Sequence, residues 1–221
     1  MDRVPEPELM DEPAQALAYA CADFSAPHDA FVARFRRCFP DFGGGAVLDL
    51  GCGPADVTLR FARAYPQAQV TGVDGAEAML ALGRQAVAAA GLTRRVRLLH
   101  RRLPAEDLGG SAYAAVISNS LLHHLADPLV LWDAVRAAAA AAVAVFVMDL
   151  LRPPSRDAAA ALVDLHAGDA PEVLRRDFLN SLLAAFRPEE VRSQLAAAGL
   201  SGMRVEVASD RHLIAYGRIM Q

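Results

Sequence analysis

Val47-Leu48-Asp49-Leu50-Gly51-Cys52-Gly53-Pro54 is the stretch on which the fold turns. A short, mostly apolar run is closed by two glycines one residue apart, and residues 56–65 then take up the helical period. A strand buried on both faces, a tight turn and a helix make the opening unit of a parallel α/β sheet. The glycines let the backbone turn sharply, and they let a ligand touch the main chain where a Cβ would collide. A second apolar run, residues 69–74, ends in Asp74, 25 residues beyond Asp49.

Outward from this unit the alternation continues. Strands are expected at residues 46–50, 69–74, 96–100, 113–118 and 143–149, and helices at 56–65, 76–90 and 128–142. After Asp149 the pattern breaks at Pro153-Pro154, and residues 155–167 and 171–186 read as two helices with no strand between them. Pro188-Glu189-Glu190 opens another helix that Gly199 closes, and residues 203–208 and 212–219 form a final hairpin. The expected fold class is α/β, a doubly wound, seven-stranded, mostly parallel sheet with its last strand antiparallel. Residues 1–221 are expected to form a single domain: a helical arm or lid at 1–40, a core at 41–150, a two-helix insertion at 151–186 and a final helix and hairpin at 187–221.

Composition removes several function classes. The chain has 221 residues, 54% of them hydrophobic and 22% charged, so a packed core is affordable and wholesale disorder is excluded. All 22 basic residues are arginine, which rules out a Schiff-base, phosphate-loop or general-base lysine. The net charge of −4 gives no broad basic footprint for nucleic acid or anionic lipid. Cys21, Cys38 and Cys52 lie at no metal-ligand spacing, so neither a metal nor a disulfide framework is expected. The acidic, proline-rich start is unlike a signal peptide, and no apolar run is long enough to cross a bilayer. A cytoplasmic protein without a membrane partner is expected.

In a doubly wound sheet, ligands bind outside the carboxyl ends of the strands at the switch point. That rule selects residues 51–56, 74–76, 118–124, 149–154 and 209–212. An acid ending the second strand is placed to accept hydrogen bonds from both hydroxyls of an adenosine ribose. A dinucleotide fingerprint wants a third glycine where this chain has Asp56, and a carboxylate there opposes a pyrophosphate. Asp49, two residues before the first glycine, suits a positively charged group. Adenosine, a cationic amino-acid tail and no pyrophosphate describe S-adenosylmethionine.

These segments resemble the class I S-adenosylmethionine-dependent methyltransferases: VLDLGCGPADVTLRFA their first motif, VTGVDGAEAML the ribose-binding strand end, and YAAVISNSLLHHLADP their fourth-strand segment. The likeness runs from about residue 44 to 150 and implies the Rossmann-like methyltransferase fold. It implies Asp49 near the methionine amino group, Gly51, Cys52 and Gly53 at the cofactor loop, Asp74 on the ribose, Gly75 and Met79 beside the adenosine, and Ser118 and Asn119 facing the methionyl end. Relatives often carry an acid just after the third strand for the adenine amino group. Here His100-Arg101-Arg102-Leu103-Pro104 stands instead, leaving backbone groups of Arg102 or Leu103 to recognise adenine, or the arginines to another task.

The acceptor is expected to be a small molecule. The fourth-strand segment lacks the (Asp/Asn)-Pro-Pro-(Tyr/Phe) signature of enzymes that methylate nucleobase or glutamine nitrogens. Methyl transfer from a sulfonium is an in-line displacement in which positioning supplies much of the rate, and a base is needed only for a protonated nucleophile. His123, His124 and Asp149 are the candidate catalytic residues. Tyr19, His28, Arg152, Asn180, Arg211 and His212 are the candidates for acceptor binding, Arg152 and Arg211 suiting a carboxylate or phosphate. The alternatives are a nicotinamide-dependent oxidoreductase on a Rossmann fold and a non-catalytic S-adenosylmethionine-binding protein.

Overall fold

The computed structural model describes residues 1–6, 9–110 and 113–219, without the side chains of Ala140 and Ala141. Residues 7–8 of the expected arm and 220–221 of the expected final segment lie outside the described residues. Seven strands form one sheet: β1 (Gly45–Leu50), β2 (Ala68–Asp74), β3 (Val96–His100), β4 (Tyr113–Asn119), β5 (Ala139–Leu150), β6 (Arg204–Val207) and β7 (His212–Ile219). Their order is β3-β2-β1-β4-β5-β7-β6, so the order reverses between β1 and β4. β7 pairs antiparallel to both neighbours, while β1 through β5 pair in parallel. This is the expected Rossmann-like methyltransferase topology.

The helices are α1 (Pro13–Cys21), α2 (Ser25–Cys38), α3 (Asp56–Ala64), α4 (Glu77–Ala89), α5 (Leu129–Ala138), α6 (Arg156–Ala167), α7 (Glu172–Ala184) and α8 (Pro188–Ala197). Alternation along the central strands sends side chains to two cores. Val47 and Ile117 face one with Phe31, Phe35, Phe61 and Phe146, while Leu48 and Val116 face the other with Trp132, Val191 and Leu195.

Two expectations need correction. The arm is not all lid: Phe31 and Phe35 of α2 are fully buried, and Phe35 sits edge-on to Phe61 and Phe146 at 4.8 and 5.8 Å. α2 therefore covers a sheet face, because its aromatic stripe buries more apolar surface there than a lid could. The segment before it, with the first turn of α2, lies over the crevice, and residues 1–6 and 9–12 are not helical. The second correction concerns Ala137 to Ala142, expected as helix. The helix ends at Ala138, and Ala139 already pairs with Tyr113 in the sheet. A run of alanines carries no periodic signal. A register shift between Tyr113 and Ala115, with Ala142 at φ +64°, absorbs the extra residues as a bulge.

Candidate active site

The turn after β1 is locked to the strand beside it. Gly51 and Cys52 donate their backbone N–H groups to the Val73 carbonyl at 2.8 and 3.1 Å. Gly53 N–H donates to Asp74 Oδ2 at 2.8 Å, and Ala76 N–H donates to Asp74 Oδ1 at 2.8 Å. Gly51 and Gly53 both have positive φ, and a Cβ on Gly51 would lie 2.8 Å from Leu121 Cβ. The bend therefore requires glycine at Gly51 and aims the Asp74 carboxylate at the crevice mouth. Burial, the largest influence, raises the Asp74 carboxyl above the ordinary aspartate range.

Asp49 sits one layer deeper. It is buried, accepts a hydrogen bond from Thr58 Oγ1 at 2.6 Å, and is pushed up to about 7 by that burial. A carboxyl held near neutrality without a counter-charge is ready to ionise when a cation arrives. Asp56, in the first turn of α3, behaves oppositely. His28 Nδ1 stands 2.5 Å away and Arg60 Nε donates to it at 2.8 Å, and the His28 bond first of all depresses it to about 2. A permanent carboxylate at this helix start opposes a pyrophosphate, as the sequence implied.

One cavity of about 1530 Å³ collects most of the anticipated residues. Its walls include Asp49, Gly51, Cys52, Gly53, Asp74, Gly75, Met79, Arg102, Leu103, Asn119, His123 and His124, with Tyr19, His28, Asn180, Arg211 and His212. The arm roofs it: Leu9 comes within 2.9 Å of where a Cβ on Gly75 would lie, and Ala16 packs with Ala76 and Met79. Tyr19 is half-buried in this roof, its phenol pushed up to about 12 by burial. His212 is pushed down to about 4, first by burial and then by Arg211, so it is neutral at pH 7. Burial likewise holds the Cys52 thiol well above its usual value, leaving it a packing group.

Three anticipated residues are placed elsewhere. Ser118 is fully buried and donates to the Leu50 carbonyl at 2.8 Å, clamping β4 to β1. Asp149 is buried behind the cavity wall: Oδ2 accepts from Leu122 N at 2.7 Å, while Oδ1 accepts from Leu150 N at 2.7 Å and lies 2.6 Å from His123 Nδ1. It positions His123 and cannot itself reach a ligand. Arg152 turns away altogether, because the chain after β5 bridges Leu151 to Phe186 and carries the guanidinium to Glu190 and the Ala185 carbonyl. The convergence of Arg152 and Arg211 is therefore not formed. Arg211 instead donates to Asp210 Oδ1 at 3.0 Å.

Sequence reading missed Glu6. Arg3 donates to the carbonyls of Ala184, His123 and Leu125 and stacks 4.1 Å over the Phe186 ring, fixing the segment that carries Glu6. Glu6 Oε1 then lies 3.5 Å from His123 Nε2 and 3.3 Å from His124 Nδ1. Burial raises the Glu6 carboxyl, against the opposing pull of His123. At His123 burial works against the charge, yet the Asp149 carboxylate outweighs it and the imidazole is raised. The Glu6 contact spans more than a hundred residues of chain and leaves no local sequence signal.

A family profile described as a methyltransferase domain matches residues 47–142. The chain is 44% identical over 84 residues to a demethylmenaquinone methyltransferase of Bacillus cytotoxicus, covering 36% of this chain and 35% of that one. It is 30% identical over 118 residues to an uncharacterized methyltransferase of Mycobacterium bovis, covering 53% of this chain and 51% of that one. It thus spans about a third to a half of the length of these curated relatives. The crystal structure of the plantazolicin methyltransferase BpumL, solved with a desmethylPZN analog and SAH, is similar in fold at a TM-score of 0.70. That match has 11% identity and covers 95% of this chain and 92% of that one. None of these comparisons points to a nicotinamide-dependent oxidoreductase. Among the described residues no helix is long and apolar enough to cross a membrane. The glycine bend, its two carboxylates and the strand order agree with these matches: residues 47–142 fit a methyltransferase domain, and the chain has the Rossmann-like methyltransferase fold.

Proposed function

We propose that this chain transfers a methyl group from S-adenosylmethionine to a small-molecule acceptor held under the N-terminal roof. The observation that carries this reading is a single roofed cavity lined by both Asp74 at the crevice mouth and His123 at its far wall. When bound, S-adenosylmethionine supplies a methyl on a sulfonium whose thioether is already a good leaving group. The chain's own residues then have to bind, orient and exclude water. Asp74, fixed through both oxygens by backbone N–H groups, keeps free lone pairs for the ribose hydroxyls. Gly51 and Gly53 let the cofactor lie against the main chain, and Asp49 receives the amino group. Leu103 and the Arg102 backbone edge the adenine pocket in place of the missing acid.

His123, held by Asp149, stands where an acceptor proton would leave, with Asn119 and His124 on the same wall. Tyr19, His28, Asn180, Arg211 and His212 close the acceptor half. Roof and insertion together leave room for a metabolite rather than a protein surface, and the acidic balance of the chain disfavours nucleic acid.

Calorimetry with S-adenosylhomocysteine tests the cofactor half. Asp74→Ala removes hydrogen bonds to a charged acceptor, worth about 1.5–3 kcal/mol, and should weaken binding about 10–100-fold. Because it also frees the Gly53 and Ala76 N–H groups, circular dichroism on the same samples confirms that the variant is folded. Unchanged affinity in the variant, or no heat with the wild-type chain, overturns the reading. Asp49 adds a pH signature. Its carboxyl sits near 7 when alone and is ionised when it meets the ligand's ammonium, so binding releases a proton below pH 7 and none well above it. Affinity should therefore rise from pH 6 to 8, with a buffer-dependent enthalpy at the low end. Asp49→Asn should abolish that dependence. A radiolabelled methyl donor offered with a panel of hydroxyl, amine and thiol metabolites tests the transfer itself, and binding without transfer to any of them would favour a non-catalytic role.

A further inference from the structure

The cluster of Glu6, His123 and His124 asks for something the methyl-transfer reading does not supply. Each residue offers one ligand atom, and the three atoms lie within 4.8 Å of one another. Glu6 side-chain exposure is 10% and that of His123 is 2%, so both donors are held out of bulk water. Glu6 Oε1 is buried without a hydrogen-bond partner of its own. A buried carboxylate oxygen in that state is costly, and two imidazole nitrogens stand 3.3 and 3.5 Å from it.

We propose that Glu6 Oε1, His123 Nε2 and His124 Nδ1 bind a divalent transition-metal ion of the zinc class. Ligand bonds of about 2.0–2.1 Å in a tetrahedral site place neighbouring donor atoms about 3.3–3.4 Å apart. Two edges of the triangle, 3.3 Å from Glu6 to His124 and 3.5 Å from Glu6 to His123, match that spacing. The outer partner is also present: Asp149 Oδ1 lies 2.6 Å from His123 Nδ1, which commits that nitrogen to its proton and turns the Nε2 lone pair toward Glu6. Two imidazoles and a carboxylate are a borderline donor set, suited to zinc, cobalt, nickel or ferrous iron rather than to magnesium or calcium.

All three ligands line the main cavity, so the remaining coordination position opens toward it. That position suits an oxygen or nitrogen of the acceptor, which a bound cation would hold and acidify. In the metal-loaded chain Nε2 of His123 is occupied, so His123 would act there as a ligand and the proton would pass to solvent. This last role rests on the proposed methyl transfer; the metal site does not. It also gives the N-terminal segment a function, since the segment supplies the only carboxylate of the three and is pinned by Arg3 at the carbonyl of His123 itself.

The test is a titration of the tag-free, chelator-stripped full chain with Co²⁺, read by its visible ligand-field absorption, followed by Zn²⁺ competition. One Co²⁺ per chain at micromolar concentration is expected, displaced by one Zn²⁺. Glu6→Gln and His124→Ala should each weaken binding at least tenfold. His166→Ala, which removes the imidazole paired with Asp210, should leave it unchanged. S-adenosylhomocysteine binding, measured on the same samples, shows that the variants are folded. Wild-type chain that takes up no stoichiometric Co²⁺, folded Glu6→Gln that binds as tightly as wild type, or loss of binding in His166→Ala would overturn the site. Cobalt uptake without S-adenosylhomocysteine binding would sink the methyl-transfer reading and leave the metal site standing; the reverse result would do the opposite.

Discussion

Trp132→Ala is expected to lower the unfolding free energy by about 3–5 kcal/mol, the range for truncating a buried aromatic side chain. Trp132 is fully buried on α5, within the core that also holds Leu131, Val145, Val147, Val191 and Leu195. Its indole N–H donates to Gln194 Oε1 at 3.1 Å, so one side chain both fills the space between α5, α8 and the sheet and satisfies a buried amide. Truncation loses the transfer energy of the ring, leaves a void and orphans Gln194. Trp132→Phe separates these contributions: it keeps most of the packing and loses only the donor, at a cost of about 1–3 kcal/mol. Because this is the single tryptophan of the chain, urea unfolding should be followed by far-ultraviolet circular dichroism. An alanine variant within 1 kcal/mol of wild type would show that this helix pair is not what holds that face of the sheet.

What could be read from the sequence was whatever local rules determine. The VLDLGCG run, the spaced Asp74 and the strand–helix alternation each follow from short-range periodicity and turn chemistry, and together they specify the sheet, the crevice and the glycine bend. Direction was harder than position. Arg152 does leave the active edge of β5, yet a bridge to Phe186 swings its guanidinium to Glu190, which strand-end topology alone does not reveal. Ser118 lies one residue before the cavity-lining Asn119, and that step of one reverses its face. Ala139 favours helix by intrinsic propensity, and pairing with Tyr113 in the sheet overrides it. Glu6 lay in a proline-rich stretch without periodicity, and long-range contacts of the segment before it, Arg3 to the His123 and Leu125 carbonyls and Val4 N–H to the Leu183 carbonyl among them, bring it to the histidines.

Asp149→Ala should be as damaging as loss of the tryptophan, by a different route and with a pH signature of its own. The carboxylate is buried and accepts backbone N–H groups from Leu122 and Leu150 while facing His123. Removing it orphans two buried donors and strands an imidazole, which for a buried ion pair costs about 3–5 kcal/mol. In the metal-free wild-type chain, prepared with chelator, burial opposes the charge on His123, but Asp149 overrides it and raises the imidazole. The stability this supplies is complete below the ordinary histidine value of about 6.5 and fades as pH rises through the folded value. Asp149 itself is held low by His123 against its burial, so its share is present above the ordinary carboxylate range and fades in acid. Without Asp149, burial dominates at His123 with Glu6 alone left to favour the charge, and the folded-state value falls. The unfolded chain then takes up a proton near pH 6 that the folded chain resists, and the variant loses stability as pH drops. The stability gap between variant and wild type should therefore widen from pH 7 to pH 5 in paired urea titrations, and the His123 imidazole should titrate lower by nuclear magnetic resonance. A gap that is constant across that range would mean that Asp149 acts through the Leu122 and Leu150 amides alone. His123 would then owe its orientation to Glu6 and to the turn that carries it.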